Sequence, residues 1–143
     1  MRPAVIVDTG PIVALLDADE AHHRWAHQQF ESLAPPLLTS ESVLSEACFL
    51  LRRIGVDASL PVALLRRGVL RMVDVLGTAN DVDAVAALMH RYANVPMSLA
   101  DACLVRILER TENGSIMTLD SDFHVYRQGR RKTIRVLFPE PRR

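Results

Sequence analysis

A chain of 143 residues, with 17 basic and 17 acidic side chains and 49% hydrophobic content, has the balance of a globular protein and excludes a disordered one. That length buries one core without disulfides or structural metal, so a single domain over 1–143 is expected. No apolar run approaches the roughly 20 residues of a membrane span, and no basic leader precedes a cleavable apolar stretch, which makes the cytoplasm the expected location.

Ala4 to Val7 is a short apolar run ending at Asp8, and Gly10-Pro11 then opens a helical pattern through Leu16. Glu20 to Leu33 is a second, more polar helix, ended by Ala34-Pro35-Pro36 before a short strand, Leu37 to Thr39. Ser42 to Ile54 places Val43, Ala47, Leu50, Leu51 and Ile54 at spacings of three and four, and Gly55 stops that helix. Leu60 to Gly68 is helical, Val69 to Leu76 contains a strand, and Asn80 to Tyr92 is a helix with Val82, Val85, Ala86 and Met89 on one face. Ser98 to Arg110 carries the strongest helical pattern. Asn113-Gly114 breaks it, Ser115 to Leu119 reads as a buried strand running into Asp120, and Thr133 to Leu137 as a last strand. Strands alternating with helices predict βαβ units, hence a three-layer α/β domain with a central parallel sheet flanked by helices.

Several residues invite chemistry and receive a plainer reading. Cys48 and Cys103 sit in apolar helical patterns without partners at metal-ligand spacing, and read as reduced core residues. His23 and His27 are four apart on a polar helix, but no third zinc ligand is near. Trp25 and Phe30 should pack on the core or on a partner surface, and Met89, Met97 and Met117 should fill the core. The neutral net charge hides an asymmetry. From residue 127 onward there are seven basic residues (Arg127, Arg130, Arg131, Lys132, Arg135, Arg142 and Arg143) against Glu140, which leaves the rest at a net −6. An acidic body with a basic tail fits a carboxylate-lined site beside a polyanion-holding rim, or simply a solvated C-terminus.

The acids then decide. In open parallel sheets, sites form beyond the carboxyl ends of the strands, and Asp8 and Asp120 both stand where a strand should end. Each also has a structural reading: Asp8 or Thr9 as a helix cap, Asp120-Ser121-Asp122 as an Asx turn. Glu46, between Val43 and Leu50, falls on the apolar stripe of its helix, where an ionised carboxylate needs a partner or a cation; its plainer reading is a helix-edge glutamate or a salt bridge to Arg53. Asp101 completes a capping box with Ser98 while sharing a face with Leu104, Val105 and Leu108. Gathered in one pocket, four acids would repel one another unless a hard divalent cation, Mg²⁺ or Mn²⁺, lay among them.

The ordered set Val5-Ile6-Val7-Asp8-Thr9, Ser45-Glu46, Ser98-Leu99-Ala100-Asp101-Ala102 and Ile116-Met117-Thr118-Leu119-Asp120-Ser121-Asp122-Phe123 resembles the PIN-domain nucleases, specifically the VapC-type toxins of bacterial toxin–antitoxin pairs. The four motifs are individually short, but their order and the chain length fit over nearly the whole sequence. The resemblance implies an acidic quartet of Asp8, Glu46, Asp101 and Asp120, with Thr118 and Thr9 in hydrogen-bonding support and Asp122 as an accessory. It also implies a Mg²⁺-dependent endoribonuclease, often dimeric, silenced by a small antitoxin bound over the apolar helices of the N-terminal half.

The mechanism expected on that basis is metal-assisted phosphodiester hydrolysis. Asp8 and Asp101 would hold the ion, Glu46 and Asp120 would complete its shell through waters or a second ion, and a metal-activated water would attack in line. Arg130, Arg131 and Lys132, with Arg66 and Arg67, are candidates for holding the RNA backbone. An aspartic protease is disfavoured because its Asp-Thr-Gly belongs in an all-β fold. A haloacid-dehalogenase phosphatase would carry a second aspartate where Gly10 stands. Two alternatives stay open: an RNA-processing nuclease of the same fold without a toxin role, and a non-catalytic RNA- or protein-binding module. An adjacent gene for a small DNA-binding protein discriminates the first, and metal binding the second.

Overall fold

The structure, a computed structural model, describes residues 3–140. In chain order its elements are β1 (Val5–Val7), α1 (Thr9–Leu16), α2 (His23–Ser32), β2 (Leu37–Thr39), α3 (Glu41–Arg53), α4 (Leu60–Arg66) and β3 (Leu70–Met72). There follow α5 (Ala79–Arg91), α6 (Leu99–Glu109), β4 (Ser115–Met117), a 3₁₀ turn (Ser121–His124), β5 (Arg127–Gln128), β6 (Lys132–Thr133) and β7 (Val136–Leu137). Five strands form one parallel sheet in the order β3-β2-β1-β4-β7, and helices flank it. The expected parallel α/β architecture is therefore present.

The chain leaves β1 toward β2 and β3 on one side and later returns to place β4 and β7 on the other. This makes the β1–β4 boundary the switch point, where the connections that follow the two strands diverge and leave a crevice at their carboxyl ends. Register fixes what meets there: Val7 pairs with Met117, so the next residues, Asp8 and Thr118, emerge side by side. The strands are only three residues long, yet Ile6, Val7, Ile116 and Met117 are wholly buried, as a sheet covered on both faces requires. Helix starts follow local chemistry. Ser40, Thr78 and Ser98 accept hydrogen bonds from Val43, Asp81 and Asp101 N–H groups, each supplying a partner for a backbone donor that the first turn leaves unpaired.

Four expectations need correction. The second helix begins at His23, because a turn follows the end of α1 at Asp17. Glu46 does not lie on the apolar stripe of α3: Val43, Leu44, Ala47 and Leu51 form it, and Glu46 is exposed at its flank. The inward face of α5 is Asp81, Val85 and Leu88, whereas Val82 is 45% exposed and Ala86 is also on the surface. The region before the last strand holds a small antiparallel hairpin, β5 with β6, that periodicity did not show.

Asp81 explains the rotation of α5. Arg106 Nε donates to its Oδ1 at 2.9 Å and Arg110 Nη1 to its Oδ2 at 3.0 Å, while Arg110 also reaches the Asp74 carbonyl at 2.9 Å. Two guanidinium groups, Arg106 on α6 and Arg110 at its C-terminal cap, thus draw a carboxylate inward, and the Arg106 hydrogen bond holds its pKa below the usual carboxylate value. Asp81→Asn is expected to lower the denaturation midpoint and speed amide exchange in α5, with little effect at the distant switch point. Unchanged exchange in α5 would show the pairing to be dispensable.

The core residues behave as expected where composition decided. Cys103, Met97 and Met117 are buried, Cys48 is half-buried, and both cysteines are free. Trp25, Phe30 and Met89 pack against the core from its edge. His23 is occupied structurally, its Nδ1 lying 2.7 Å from the Ala14 carbonyl. Among the described residues, no helix is long and apolar enough to cross a membrane.

Candidate metal centre

An open cavity of about 600 Å³ lies at the switch point, and Asp8, Glu46, Asp101, Asp120 and Asp122 all line it. Four elements deliver them. Asp8 follows β1 and caps α1, Glu46 projects from α3, Asp101 stands in the first turn of α6, and Asp120 caps the 3₁₀ turn after β4. A second cavity of about 350 Å³ beside α3 and β3 is lined chiefly by apolar side chains and Cys103. It offers two acids, Glu41 and Asp74, against the five of the first.

Asp8 is the most constrained of the acids. Its Oδ1 accepts from Thr9 N–H and its Oδ2 from the Thr118 hydroxyl, both at 2.7 Å. Thr118 Oγ1 in turn accepts from Asp120 N–H at 2.9 Å, which ties the two strand-end acids through one buried hydroxyl. The Thr9 hydroxyl donates to Glu46 Oε2 at 3.3 Å. Gly10 permits this crowding, since a Cβ there would stand 3.1 Å from Leu119 Cβ, next to Asp120. Asp120 Oδ1 accepts from Asp122 N–H at 2.9 Å, so the Asx turn and the placement in the cavity coexist.

Electrostatics there is unbalanced. Asp8 is 7% exposed, and burial, with smaller repulsion from Asp101 and Asp120, pushes its pKa up to about 6 despite the Thr118 and Thr9 hydrogen bonds. Burial also raises the Asp101 carboxyl, and Asp120 adds repulsion, opposed by hydrogen bonds from Tyr126 and Ser98. Among the described residues none of these acids has an ion-pair partner; the carboxylate ion pairs involve Glu31, Asp81 and Glu109. The donors are all hard oxygens, which suits Mg²⁺ or Mn²⁺. Among the described residues no three such side chains converge tightly enough to enclose an ion unaided. That spacing fits an ion bound through one or two carboxylates while keeping several waters.

The basic residues do not join this cavity. Gly129 N–H bonds to Glu109 Oε2 at 2.9 Å, which docks the β5–β6 hairpin at the far end of α6 from Asp101. Eight residues of helix separate those positions, about 12 Å of rise. Arg130, Arg131 and Lys132 are exposed around that hairpin. Arg66 and Arg67 are exposed at the end of α4, while Arg142 and Arg143 lie outside the described residues.

Sequence reasoning overlooked Tyr126. It is wholly buried, and its hydroxyl donates to Asp101 Oδ2 at 2.8 Å. A tyrosine four residues past the Asp-Ser-Asp turn, in a chain with 5% aromatics, was the available signal.

The class defined by these features is a parallel α/β protein with a carboxylate-lined cavity at its switch point. A family model described as the PIN domain matches residues 5–128. Ribonuclease VapC26 of Mycobacterium tuberculosis is 31% identical over 117 residues, covering 81% of this chain and 86% of that one. The chain belongs to the PIN-domain family and is of its VapC type. Among solved structures, Mycobacterium tuberculosis VapC20, described as a toxin cleaving the sarcin-ricin loop, superposes with a TM-score of 0.74 at 27% identity, covering 85% of this chain and 94% of that one. A toxin–antitoxin complex chain from Klebsiella pneumoniae shares the fold at TM-score 0.60 and 20% identity, covering 84% and 89%.

Proposed function

We propose that the protein is a Mg²⁺-dependent endoribonuclease, the toxin of a type II toxin–antitoxin pair, for which Mn²⁺ can substitute. The observation that carries this reading is the cavity at the switch point, lined by five acids and, among the described residues, by no cationic side chain. The likeness to a ribonuclease and to an RNA-cleaving toxin supports it. Asp8 and Asp101 would hold the ion, with Glu46 and Asp120 completing its shell through waters or a second ion. When bound, the ion supplies Lewis-acid stabilisation of phosphoryl charge and a more acidic water.

The chain's own groups prepare that site. Thr118 and Thr9 N–H fix both oxygens of Asp8, so its charge is held in position before any ligand arrives. The Thr9 hydroxyl restrains one oxygen of Glu46, and Asp122 steadies Asp120 through the turn. Arg130, Arg131 and Lys132 would hold backbone phosphates of RNA away from the cleaved bond, given their place at the other end of α6. A small antitoxin and a second copy of the chain are the proposed protein partners. Phe49 and Ile54 on and after α3, with Val62 on α4, are 50–59% exposed and offer apolar contact for the antitoxin.

Purified protein is expected to cleave RNA in Mg²⁺ or Mn²⁺ and to lose all cleavage in excess EDTA, with recovery when the metal is restored. Undiminished cleavage in EDTA would overturn the reading.

A further inference from the structure

Asp101 and Asp120 reach the same cavity from separate segments and repel one another. The first turn of α6 offers the Asp101 carboxylate hydrogen bonding from Ser98 alone, and an aspartate side chain held only there keeps freedom to rotate away from that repulsion. Tyr126 stands against that rotation. Its ring is fixed by edge-on contacts with Phe123 and Tyr92, at centroid separations of 5.2 and 5.1 Å. Its backbone N–H donates to the Asp122 carbonyl at 3.1 Å, so the residue continues the turn that Asp120 caps. The wholly buried phenol needs a hydrogen-bond partner, and Asp101 Oδ2 at 2.8 Å supplies it.

Building on the metal reading above, we propose that Tyr126 is a positioning residue for Asp101: its rigid phenol holds the carboxylate's orientation in the cavity against repulsion from Asp120. The phenol holds Oδ2, and the carboxylate so fixed lines the cavity. Partners that orient a ligand in this way typically change metal affinity by about 10–100-fold when removed. The ring packing depends on carbon atoms that Tyr126→Phe retains, so loss of the hydroxyl alone is separable from loss of the aromatic cluster.

The test is calorimetric titration of the full chain with Mn²⁺, without RNA. Tyr126→Phe is expected to weaken Mn²⁺ binding by about 10-fold or more, while Tyr92→Phe, which keeps the ring and removes a hydroxyl that accepts from Arg127 N–H rather than touching Asp101, leaves it unchanged. In RNA cleavage the Tyr126→Phe defect should shrink as Mn²⁺ is raised to saturation, with KM for RNA unaltered. Wild-type Mn²⁺ affinity in Tyr126→Phe overturns the positioning role and leaves the metal reading intact. Equal weakening by Tyr92→Phe also overturns it, since the effect would then belong to the cluster. Absence of Mn²⁺ binding by the wild-type protein overturns the metal reading, and the positioning role falls with it.

Discussion

Asp101→Asn is expected to reduce metal-dependent RNA cleavage by more than the about 10–100-fold that follows loss of a group orienting a metal ligand, because it removes the ligand's own charge, while the protein stays folded. The substitution keeps the shape of the side chain and an oxygen able to accept from Tyr126, whose hydroxyl now reaches Oδ2 at 2.8 Å. The backbone N–H of position 101 still bonds to Ser98 Oγ, so the start of α6 should persist. What disappears is a negative charge beside Asp8 and Asp120. An ion held by few protein ligands loses a large share of its attraction when one is neutralised, and raised Mg²⁺ should restore activity only partly. Circular dichroism and a melting curve check the fold, and single-turnover cleavage of RNA checks the chemistry. Full activity in Asp101→Asn would sink the assignment of this residue as a ligand.

Asp8→Asn should do two opposite things: abolish cleavage and stabilise the metal-free protein. Burial pushes the Asp8 pKa to about 6, above the ordinary 3.8 it regains on unfolding. Between about pH 4 and pH 6 the folded state therefore binds more protons than the unfolded state, and stability falls as pH rises through that window. Above it the penalty is constant. At about 1.4 kcal/mol per pKa unit, the burden of the ionised carboxylate in metal-free protein comes to about 3 kcal/mol. The amide removes it but accepts only one of the two short hydrogen bonds, so a net gain of about 1–2 kcal/mol is expected at pH 7.5 in EDTA. Below about pH 4 the advantage should vanish, and saturating Mg²⁺ should reverse it by stabilising the wild type alone. Denaturant melts of both proteins from pH 4 to 8 decide the matter: a stability difference that is flat across that range would show that Asp8 is not strained in the folded state.

Much of this site could be read along the chain because its parts are local. Asp8 and Asp120 follow strands, Asp101 follows a capping serine, and each arrangement is encoded within a few neighbouring residues. Glu46 was located correctly on its helix but assigned the wrong environment. A residue at the flank of a stripe differs from one on it by a rotation that depends on where α3 rests against α1 and the sheet. Asp81 was overlooked for the converse reason: a lone aspartate on a helix looks solvated until two arginines from 25 and 29 residues downstream approach it. The basic hairpin shows the same dependence, since clustered positive charge in sequence carries no information about which end of α6 it meets.

By itself the sequence determined the alternation of strands and helices, the parallel sheet, the capping residues and the identities of the acids, because periodicity, caps and turn residues act over distances of a few residues. Only the tertiary structure decided that β1 and β4 are neighbours, which sets Thr118 against Asp8, and that Tyr126 reaches back 25 residues to Asp101. Those pairings arise from strand order and from the packing of a buried ring, and both are settled by which apolar faces exclude water together.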